Sequence, residues 1–406
     1  MRVLFVLSQR PELTGSGITL DALVRLAAAA GHEPWVLCGV PAGEPVPAVG
    51  GIPADRVLTV TFGEGGDLPF AVPGMSDVMP YRSTVWSRMT GPQLSAYRDT
   101  WRTHLQSAVD HARPDVVHCN HLWLVSAIAP SVLGGVPSIA HCHATGLRQM
   151  ELCPGLRDEV VAGLRGHRAF AVLHADHARV VAATLDVAPE RIHMVGAGYR
   201  DDLFHADGAA TDRDRRGNLL YVGKYAAAKG LPWLLDACER RWTAGDRFTL
   251  HVAGDGSGDQ AEALRTRMHA LAPRVVLHGR LGQAPLADLM RRCSTLVLPS
   301  FYEGLPLVLA EARACGCRLI STRVGGVAQE LAPAFGDRLR LVDLPRLDGP
   351  DRPDPRDLPR FTDALAAAIS GTMAAPSTAA APTAEELAPL TWSAVFARVE
   401  AVWRSV

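Results

Sequence analysis

Two acidic residues, Glu303 and Glu311, have seven residues between them in the C-terminal half of the chain. In a continuous helix they would lie about 12 Å apart along the axis, at roughly 1.5 Å per residue. The two carboxylates of a glycosidase flank a single bond at about 5 to 9.5 Å. The spacing therefore suits opposite ends of a long ligand better than an acid–base pair. A buried Glu and a surface Glu with no shared ligand would show the same spacing.

The segments around these acids predict a strand, a tight loop and a helix. Residues 294–298 form a short apolar run typical of a buried strand, and residues 306–314 are rich in Leu and Ala. Pro306 suits the first helical position and Gly316 can end the helix. Because the N–H groups at a helix N-terminus are unpaired and carry a partial positive charge, this loop can hold an anion such as a phosphate.

The first half of the chain alternates predicted strands with helices, which indicates a parallel sheet covered on both faces. One predicted helix covers residues 19–30, after a Gly-Ser-Gly turn at residues 15–17. Ligands of such sheets bind where the strands end. The predicted strands are residues 2–7, 33–38, 116–118, 138–141, 169–173 and 192–196.

Histidines stand at two of these predicted strand ends, in His118-Cys119-Asn120-His121 and in His141-Cys142-His143. His and Cys are zinc ligands, so a metal site is one alternative. Successive residues of a strand point to opposite faces, and His141, Cys142 and His143 therefore cannot all converge on one ion. A buried histidine with ordinary hydrogen bonds is the other alternative.

Composition narrows the classes of protein. With 406 residues the chain suits two domains. Its 41 basic and 42 acidic residues give a net charge of −1, which does not favour nucleic-acid binding. The first apolar run, residues 3–7, is too short for a membrane span or a secretory signal. Eight scattered cysteines suit free thiols in a reducing compartment, and we expect a cytoplasmic protein.

The loop that contains Glu303 and Glu311 reads Pro-Ser-x-x-Glu-Gly-x-Pro and resembles the signature of retaining glycosyltransferases of family 4. The resemblance implies the α/β GT-B architecture, with two Rossmann-like parallel-sheet domains facing across a cleft. It places the N-terminal domain at residues 1–200, completed by a C-terminal helix at 391–406. The C-terminal domain is placed at residues 218–390, and residues 201–217 form the linker.

The same resemblance assigns roles in the binding of a nucleoside-diphosphate sugar. Lys224 and Lys229 match a Gly-Arg…Lys-Gly element whose cations contact the diphosphate. Lys224 departs from the usual Arg and lacks its bidentate fork, which leaves open whether it alters donor choice. Glu311 is assigned to the ribose hydroxyls, and Glu303 and His143 to the transferring sugar, with His141 as the alternative to His143. Cations at the departing diphosphate stabilise charge that develops in the transition state.

Further donor contacts are implied by position in the family. Gly15 and Gly17 lie in the first glycine-rich turn, although plain turn geometry would also require glycine there. Gly254 and Arg280 follow predicted strands that border the base and ribose. The amide groups assigned to the diphosphate are those of Gly304, Leu305 and Leu307.

The sequence gives fewer indications of which residues contact the acceptor. Trp86 and Arg148 are the candidate acceptor contacts, whereas the nearby aromatic residues at helical spacing, Tyr97 and Trp101, indicate core packing. An Asp-x-Asp pattern at residues 212–214 has the form of a metal-binding motif of another glycosyltransferase fold. No strand precedes it, so we interpret it as part of a solvated linker.

The resemblance thus implies a retaining, metal-independent transfer of a sugar from a UDP- or GDP-sugar to a small-molecule or lipid-precursor acceptor, with a role in natural-product biosynthesis as one setting. No cofactor, bound metal or nucleic acid is expected, and a homo-oligomer is left open. Two alternatives remain: a nucleotide-sugar epimerase or phosphorylase on the same fold, and a binder without catalytic activity. Fold alone does not separate them.

Overall fold

The computed structural model describes residues 1–11, 14–77, 79, 81–209, 212–374 and 383–406, without the side chains of residues 212, 213 and 384. The chain divides into two compact units. The first contains residues 1–196 and 392–406, and the second contains residues 197–391. Within the residues described, none of the helices is both long and apolar enough to cross a bilayer.

The first unit is built on a seven-stranded parallel sheet in the order β3-β2-β1-β4-β5-β6-β7. Its centre is apolar because β1 and β4 are buried on both faces and pair in register, with Val3 opposite Val116. The strands are β1 Arg2–Leu7, β2 Glu33–Pro41, β3 Val57–Phe62, β4 Val116–Asn120, β5 Ser138–His141, β6 Ala169–Val172 and β7 Ile192–Met194.

Helices cover this sheet, and the last helix of the chain returns to it. The stripe of Trp392, Val395, Phe396, Val399 and Trp403 is buried within the first unit, and the helix that carries it agrees with the C-terminal helix expected at residues 391–406. The helices are α1 Gly15–Ala29, α2 Gly91–Ala112, α3 Leu124–Ile128, α4 Thr145–Leu152, α5 Pro154–Leu164, α6 Ala175–Leu185 and α15 Trp392–Ser405.

The second unit contains a six-stranded parallel sheet in the order β10-β9-β8-β11-β12-β13, again with helices packed against it. Its strands are β8 Asn218–Val222, β9 Thr249–Ala253, β10 Val275–Gly279, β11 Thr295–Leu298, β12 Arg318–Thr322 and β13 Leu339–Val342. Its helices are α7 Asp212–Arg215, α8 Leu231–Thr243, α9 Asp259–Ala270, α10 Gln283–Arg292, α11 Leu307–Ala314, α12 Ala332–Phe335, α13 Leu358–Ala374 and α14 Ala384–Leu387.

Two expectations about local structure differ from what is observed. Helix α1 begins at Gly15 rather than at residue 19, because the hydroxyl of Thr14 accepts a hydrogen bond from Gly17 N at 3.1 Å and caps the helix. The segment expected to be a solvated linker contains buried residues, Phe204 and Arg215. The Arg215 guanidinium donates to the carbonyl oxygens of Cys293 and Cys315, so this stretch is anchored to the second unit.

Candidate functional site

The loops that follow β8, β9, β10 and β11 in the second unit are joined by main-chain hydrogen bonds. Gly254 N donates to Gly279 O at 2.8 Å, and Phe301 N donates to Ala228 O at 2.9 Å. These loops lie at the carboxyl ends of the parallel strands, where ligands of such sheets bind. The segments with the predicted lysines, glycines and carboxylates therefore share one edge of the sheet.

Two glycines permit this close approach. A Cβ atom on Gly254 would lie 1.9 Å from Gly223 O, and one on Gly230 would lie 2.0 Å from Pro299 O. Both glycines have positive φ, 139° at Gly254 and 70° at Gly230. Any other residue at these positions would separate the loops, so Gly254 has a main-chain packing role besides its predicted contact with the donor.

Lys229 and Glu303 form an ion pair at this edge. Lys229 Nζ lies 2.7 Å from Glu303 Oε1 and 3.4 Å from Tyr302 O. The side chains are 26% and 16% exposed, respectively. The sequence predicted both residues as site residues but not their direct contact. A cation and a carboxylate that are partly open to solvent can exchange this pairing for a ligand's charged and hydroxyl oxygens.

Lys224 lies two residues after the end of β8 and five residues before Lys229. The buried Tyr221 hydroxyl donates to Lys224 O at 2.7 Å, which fixes the main chain at this position. Lys224 and Lys229 are the only two lysines in the sequence, among 41 basic residues. The structure places both lysines in the loop between β8 and α8, at the same edge as Glu303.

Helix α11 begins at Leu307, immediately after the loop that contains Gly304 and Leu305. In its first turn, Leu309 N donates to Pro306 O at 3.1 Å, and the anion-binding role of this loop stays a prediction. Arg280 is exposed and follows β10 directly, at the same edge. Its predicted contact with the nucleotide stays a prediction.

Glu311 lies in α11 and is only 6% exposed. Burial raises the pKa of its carboxyl group to about 7. Among the described residues, its carboxylate forms neither an ion pair nor a side-chain hydrogen bond. A buried carboxylate without partners is costly, and a ligand that donates hydrogen bonds would offset that cost.

One ion pair next to Glu311 was not expected from the sequence. The buried Arg313 guanidinium donates to both carboxylate oxygens of Glu386, at 2.5 and 2.9 Å. Glu386 lies in α14, so this pair fixes α11 against a helix about seventy residues later in the chain. Charge alone did not indicate it, because the chain contains many Arg and Glu residues.

In the first unit, His143 lies just after β5. Its Nε2 is 2.8 Å from Oδ1 of Asn120, at the end of β4, and its ring stacks on that of His141 with centroids 4.4 Å apart. Burial, followed by the neighbouring histidines, holds the pKa of His143 well below its usual range, so the ring is uncharged at neutral pH. His121 packs on the other side, with its ring centroid 4.9 Å from that of His143.

The zinc alternative receives no support from this cluster. Among the residues that the structure describes, no three His, Cys, Asp or Glu side chains are arranged to hold a metal ion. The side chain of Asp212 lies outside the described residues, and the Asp-x-Asp segment itself forms helix α7. The predicted absence of a metal in the reaction stays a prediction.

The remaining predicted residues occupy different environments. Gly15 and Gly17 are in the first turn of α1, where a Cβ on Gly17 would lie 2.2 Å from Pro11 O. Trp86 is 2% exposed and packs edge-on against Tyr97 and Trp123, which makes it a core residue. Arg148 lies in α4, just after His143, and is partly buried.

A cavity of ≈ 580 Å³ lies at the opposite, amino-terminal edge of the first sheet and is lined in part by Arg165, Arg168 and Arg191. The Arg191 guanidinium donates to the carbonyl oxygens of Arg165 and His167, at the end of α5. Arg165 in turn donates to Leu185 O at 2.6 Å. Two of the three guanidinium groups are therefore held by main-chain carbonyls, which is a structural use of their charge.

Comparison with known proteins decides the class of the second unit. Residues 216–338 match the family described as "Glycosyl transferases group 1". The second unit therefore contains a segment similar to group 1 glycosyltransferases. This segment contains β8 to α11, and with them both lysines and both glutamates of the site.

Relatives extend the similarity beyond that domain. Glycogen synthase of Mycobacterium tuberculosis is 28% identical over 349 residues, which cover 81% of this chain and 80% of the relative. D-inositol 3-phosphate glycosyltransferase of Frankia alni is 30% identical over 247 residues, which cover 54% of this chain and 60% of the relative. Glycosyltransferases are thus similar to this chain in both units.

Solved structures show the fold. Sucrose-phosphate synthase of Thermosynechococcus elongatus has a TM-score of 0.75 at 17% identity, covering 100% of this chain and 98% of that one. HepE of Anabaena, solved with UDP and glucose, has a TM-score of 0.67 at 15% identity, covering 100% of both chains. Together with the two parallel sheets, these matches confirm the predicted GT-B fold.

Proposed function

We propose that the protein is a retaining, metal-independent glycosyltransferase that moves a sugar from a nucleoside-diphosphate sugar to a small-molecule or lipid-precursor acceptor. The observation that carries the proposal is the pairing of Lys229 with Glu303 on loops joined at the carboxyl edge of the second sheet. A natural-product pathway is one setting for such a transfer.

The leaving diphosphate explains why a lysine is needed here. When the bond between the anomeric carbon and the phosphate oxygen breaks, its electrons remain on the diphosphate. In the proposal, Lys229 exchanges Glu303 for the diphosphate, and Lys224 approaches the same group from the other end of the loop. Fixed cations stabilise this charge more in the transition state than in the ground state, and they can do so without a metal.

The two carboxylates are proposed to bind the uncharged sugar and ribose of the donor. Glu303, released from Lys229, can accept hydrogen bonds from sugar hydroxyls, and the buried Glu311 can accept two from the ribose. The amide groups of Gly304, Leu305 and Leu307 are assigned to phosphate oxygens. His143 in the first unit is proposed to contact the transferring sugar, and Arg148 to contact the acceptor.

Retention is proposed with a front-face mechanism. In it the departing phosphate oxygen accepts the acceptor's proton while the acceptor oxygen bonds to the anomeric carbon on the same face. The configuration of the product, measured by NMR, tests this step. An axial product from an axial donor supports it, and an inverted product contradicts it.

Transfer itself is tested by following nucleoside diphosphate release from UDP-glucose and from other UDP- and GDP-sugars, with and without a panel of acceptors. UDP-glucose is the first donor to test because HepE has been solved with it. Acceptor-dependent release supports the proposal. Conversion of the donor sugar without an acceptor indicates an epimerase, phosphate-dependent cleavage indicates a phosphorylase, and binding without turnover indicates a non-catalytic binder.

The scarcity of lysine permits a direct test of donor binding. Reductive methylation modifies Lys224, Lys229 and the N-terminal amine, and peptide mass spectrometry reads each position separately. UDP or GDP should protect both lysines and leave the rate at the N-terminus unchanged. Equal rates at Lys229 with and without a nucleotide that binds would contradict the assignment of this cation to the diphosphate.

A further inference from the structure

A chain of hydrogen bonds connects the C-terminal helix to the histidines of the first unit. Nε1 of Trp403, in α15, lies 3.2 Å from Nδ1 of His118. Nε2 of His118 lies 3.2 Å from Nδ1 of His141. All three side chains are at most 1% exposed. They are separated from bulk water, so the hydrogen bonds between them determine which ring nitrogens carry a proton.

The direction of this chain follows from the first donor. An indole N–H can only donate, so Nδ1 of His118 must accept and carries no proton. The proton of the neutral His118 ring is then on Nε2, which donates to Nδ1 of His141. His141 in turn carries its proton on Nε2. Adding a proton to Nδ1 of either ring would break a hydrogen bond, and burial opposes the charge.

This series of hydrogen bonds ends in a donor without an acceptor. Nε2 of His141 is buried and has no hydrogen-bond partner among the described residues. Buried polar groups in proteins are nearly always hydrogen-bonded to protein or to ordered water. Among the described residues, this N–H is therefore a donor still available for an acceptor.

His143, which stacks on His141, offers a hydrogen-bond acceptor instead of a donor. Asn120 Nδ2 donates to Val6 O at 3.1 Å, so its Oδ1 is the atom that accepts from His143 Nε2. The neutral His143 ring then presents Nδ1 as an acceptor. The His141 and His143 rings are stacked at 25°. The pair offers one N–H donor and one nitrogen acceptor, which are the two partners that a hydroxyl group needs.

We propose that Trp403 is a positioning residue, which acts through His118 to fix His141 as a donor beside the acceptor His143. The ligand chemistry that fits this pair is an alcohol. The role in turnover rests on the proposed function, in which the hydroxyl belongs to a sugar. The tautomers do not depend on it.

The tautomers can be read directly in the full-length protein labelled with 15N in its histidines. Long-range 1H–15N spectra distinguish Nδ1–H, Nε2–H and doubly protonated rings, and the variants H118N and H141N assign the two signals. We expect both rings as the Nε2–H form at neutral pH. A wild-type His118 that is protonated at Nδ1 would overturn the proposal without any further variant.

The substitution W403F removes the first donor and keeps an aromatic ring. The matched control is W392F, because Trp392 lies in the same helix, is 2% exposed, and its Nε1 has no partner among the described residues. We expect W403F to give mixed tautomers at His118 and His141 and to lower kcat about three- to tenfold with little change in KM, as expected for a lost hydrogen bond.

W392F should resemble the wild type in both readouts. If W403F keeps wild-type tautomers, or if both variants lose kcat equally, Trp403 acts only through packing and the proposal is wrong. If no donor is turned over by the wild type while the predicted tautomers are observed, the proposed function fails and the hydrogen-bonded chain stands.

Discussion

The carboxyl ends of the two sheets carry different chemistry. In the second unit, charged side chains stand on loops whose main chains touch, and the central contact is the ion pair of Lys229 and Glu303. In the first unit, the same edge carries imidazoles and an amide, with burial keeping the pKa of His118 and His143 well below the usual range. One edge offers charge, and the other offers hydrogen bonds with fixed direction.

Under the proposed function, each edge suits a different kind of chemical group. A diphosphate develops negative charge as it leaves, and a cation that is already in place stabilises that charge. A sugar ring is neutral and presents hydroxyl groups, which are recognised by the placement of donors and acceptors. Four of the following predictions each change one residue of one edge, so that the two edges can be compared, and the fifth removes metal ions.

The largest effect is expected for Lys229→Met, which keeps most of the alkyl stem and removes the charge. Loss of one fixed electrostatic contact to the leaving group should lower kcat about 10² to 10³-fold, while the affinity for free UDP or GDP falls less. The control is Arg323→Ala, which removes an exposed cation paired with Asp343 in the same unit. Equal losses in kcat and in nucleotide affinity would indicate uniform binding and contradict the leaving-group role.

Glu311→Gln should change the pH dependence of stability. The pKa of Glu311 is raised from 4.5 to about 7, so the wild type loses stability as the pH rises through this range. The shift from 4.5 to about 7 corresponds to at most about 3 to 4 kcal/mol, at about 1.36 kcal/mol per pKa unit. As the pH rises from about 4.5 to about 7, the variant should gain stability relative to the wild type, as measured by urea unfolding, and it should bind nucleotide more weakly. A pH-independent difference would show that Glu311 does not titrate in this range.

Glu303→Gln separates the two partners of the ion pair. The variant should lower kcat about 10 to 10²-fold because a hydrogen-bonding carboxylate to the sugar is lost. Its affinity for free nucleoside diphosphate, measured by calorimetry, should be unchanged or higher, since Lys229 no longer has to leave a carboxylate. A marked fall in nucleotide affinity would instead mean that Glu303 holds Lys229 in its productive position.

His143→Phe removes both ring nitrogens at the uncharged edge and keeps a ring that can stack on His141. We expect kcat/KM to fall about three- to tenfold, the scale of one neutral hydrogen bond, with free nucleotide affinity unchanged. Thermal unfolding compared with the wild type controls for packing. An effect as large as that of Lys229→Met would remove the contrast between the two edges.

The smallest effect is expected for metal removal. Because lysines are assigned the charge on the diphosphate, activity in EDTA should equal that in buffer. Restoration of a lost activity by Mg²⁺ or Mn²⁺ would show that the cations of the second unit do not suffice.

Local sequence features indicated more of the second unit's candidate site than of the first unit's. Lys224, Lys229, Glu303 and Glu311 are recognisable because their spacing, the glycines and the strand-to-helix loops are local features. The occurrence of lysine only at these two positions would have been a further signal. The ion pair of Arg313 and Glu386 was not predictable, because nothing local distinguishes it.

In the first unit, strand periodicity predicted β1 and β5 correctly but missed β3, an edge strand whose burial is incomplete. The histidines were predicted as candidates, yet their tautomers were not. His118 and Trp403 are 285 residues apart in sequence. Only the return of α15 to the first sheet brings the indole and the imidazole together.

The glycine contacts at Gly254 and Gly230 have a consequence for redesign of donor choice. Since each glycine's main chain rests on the main chain of another loop, lengthening or exchanging one loop displaces its neighbours. Chimeras that swap a single loop with a homologue should therefore fail more often than those that exchange the segment from β8 to α11 as a block. Evolution of a new donor preference would proceed more easily through side chains such as Lys224 than through insertions.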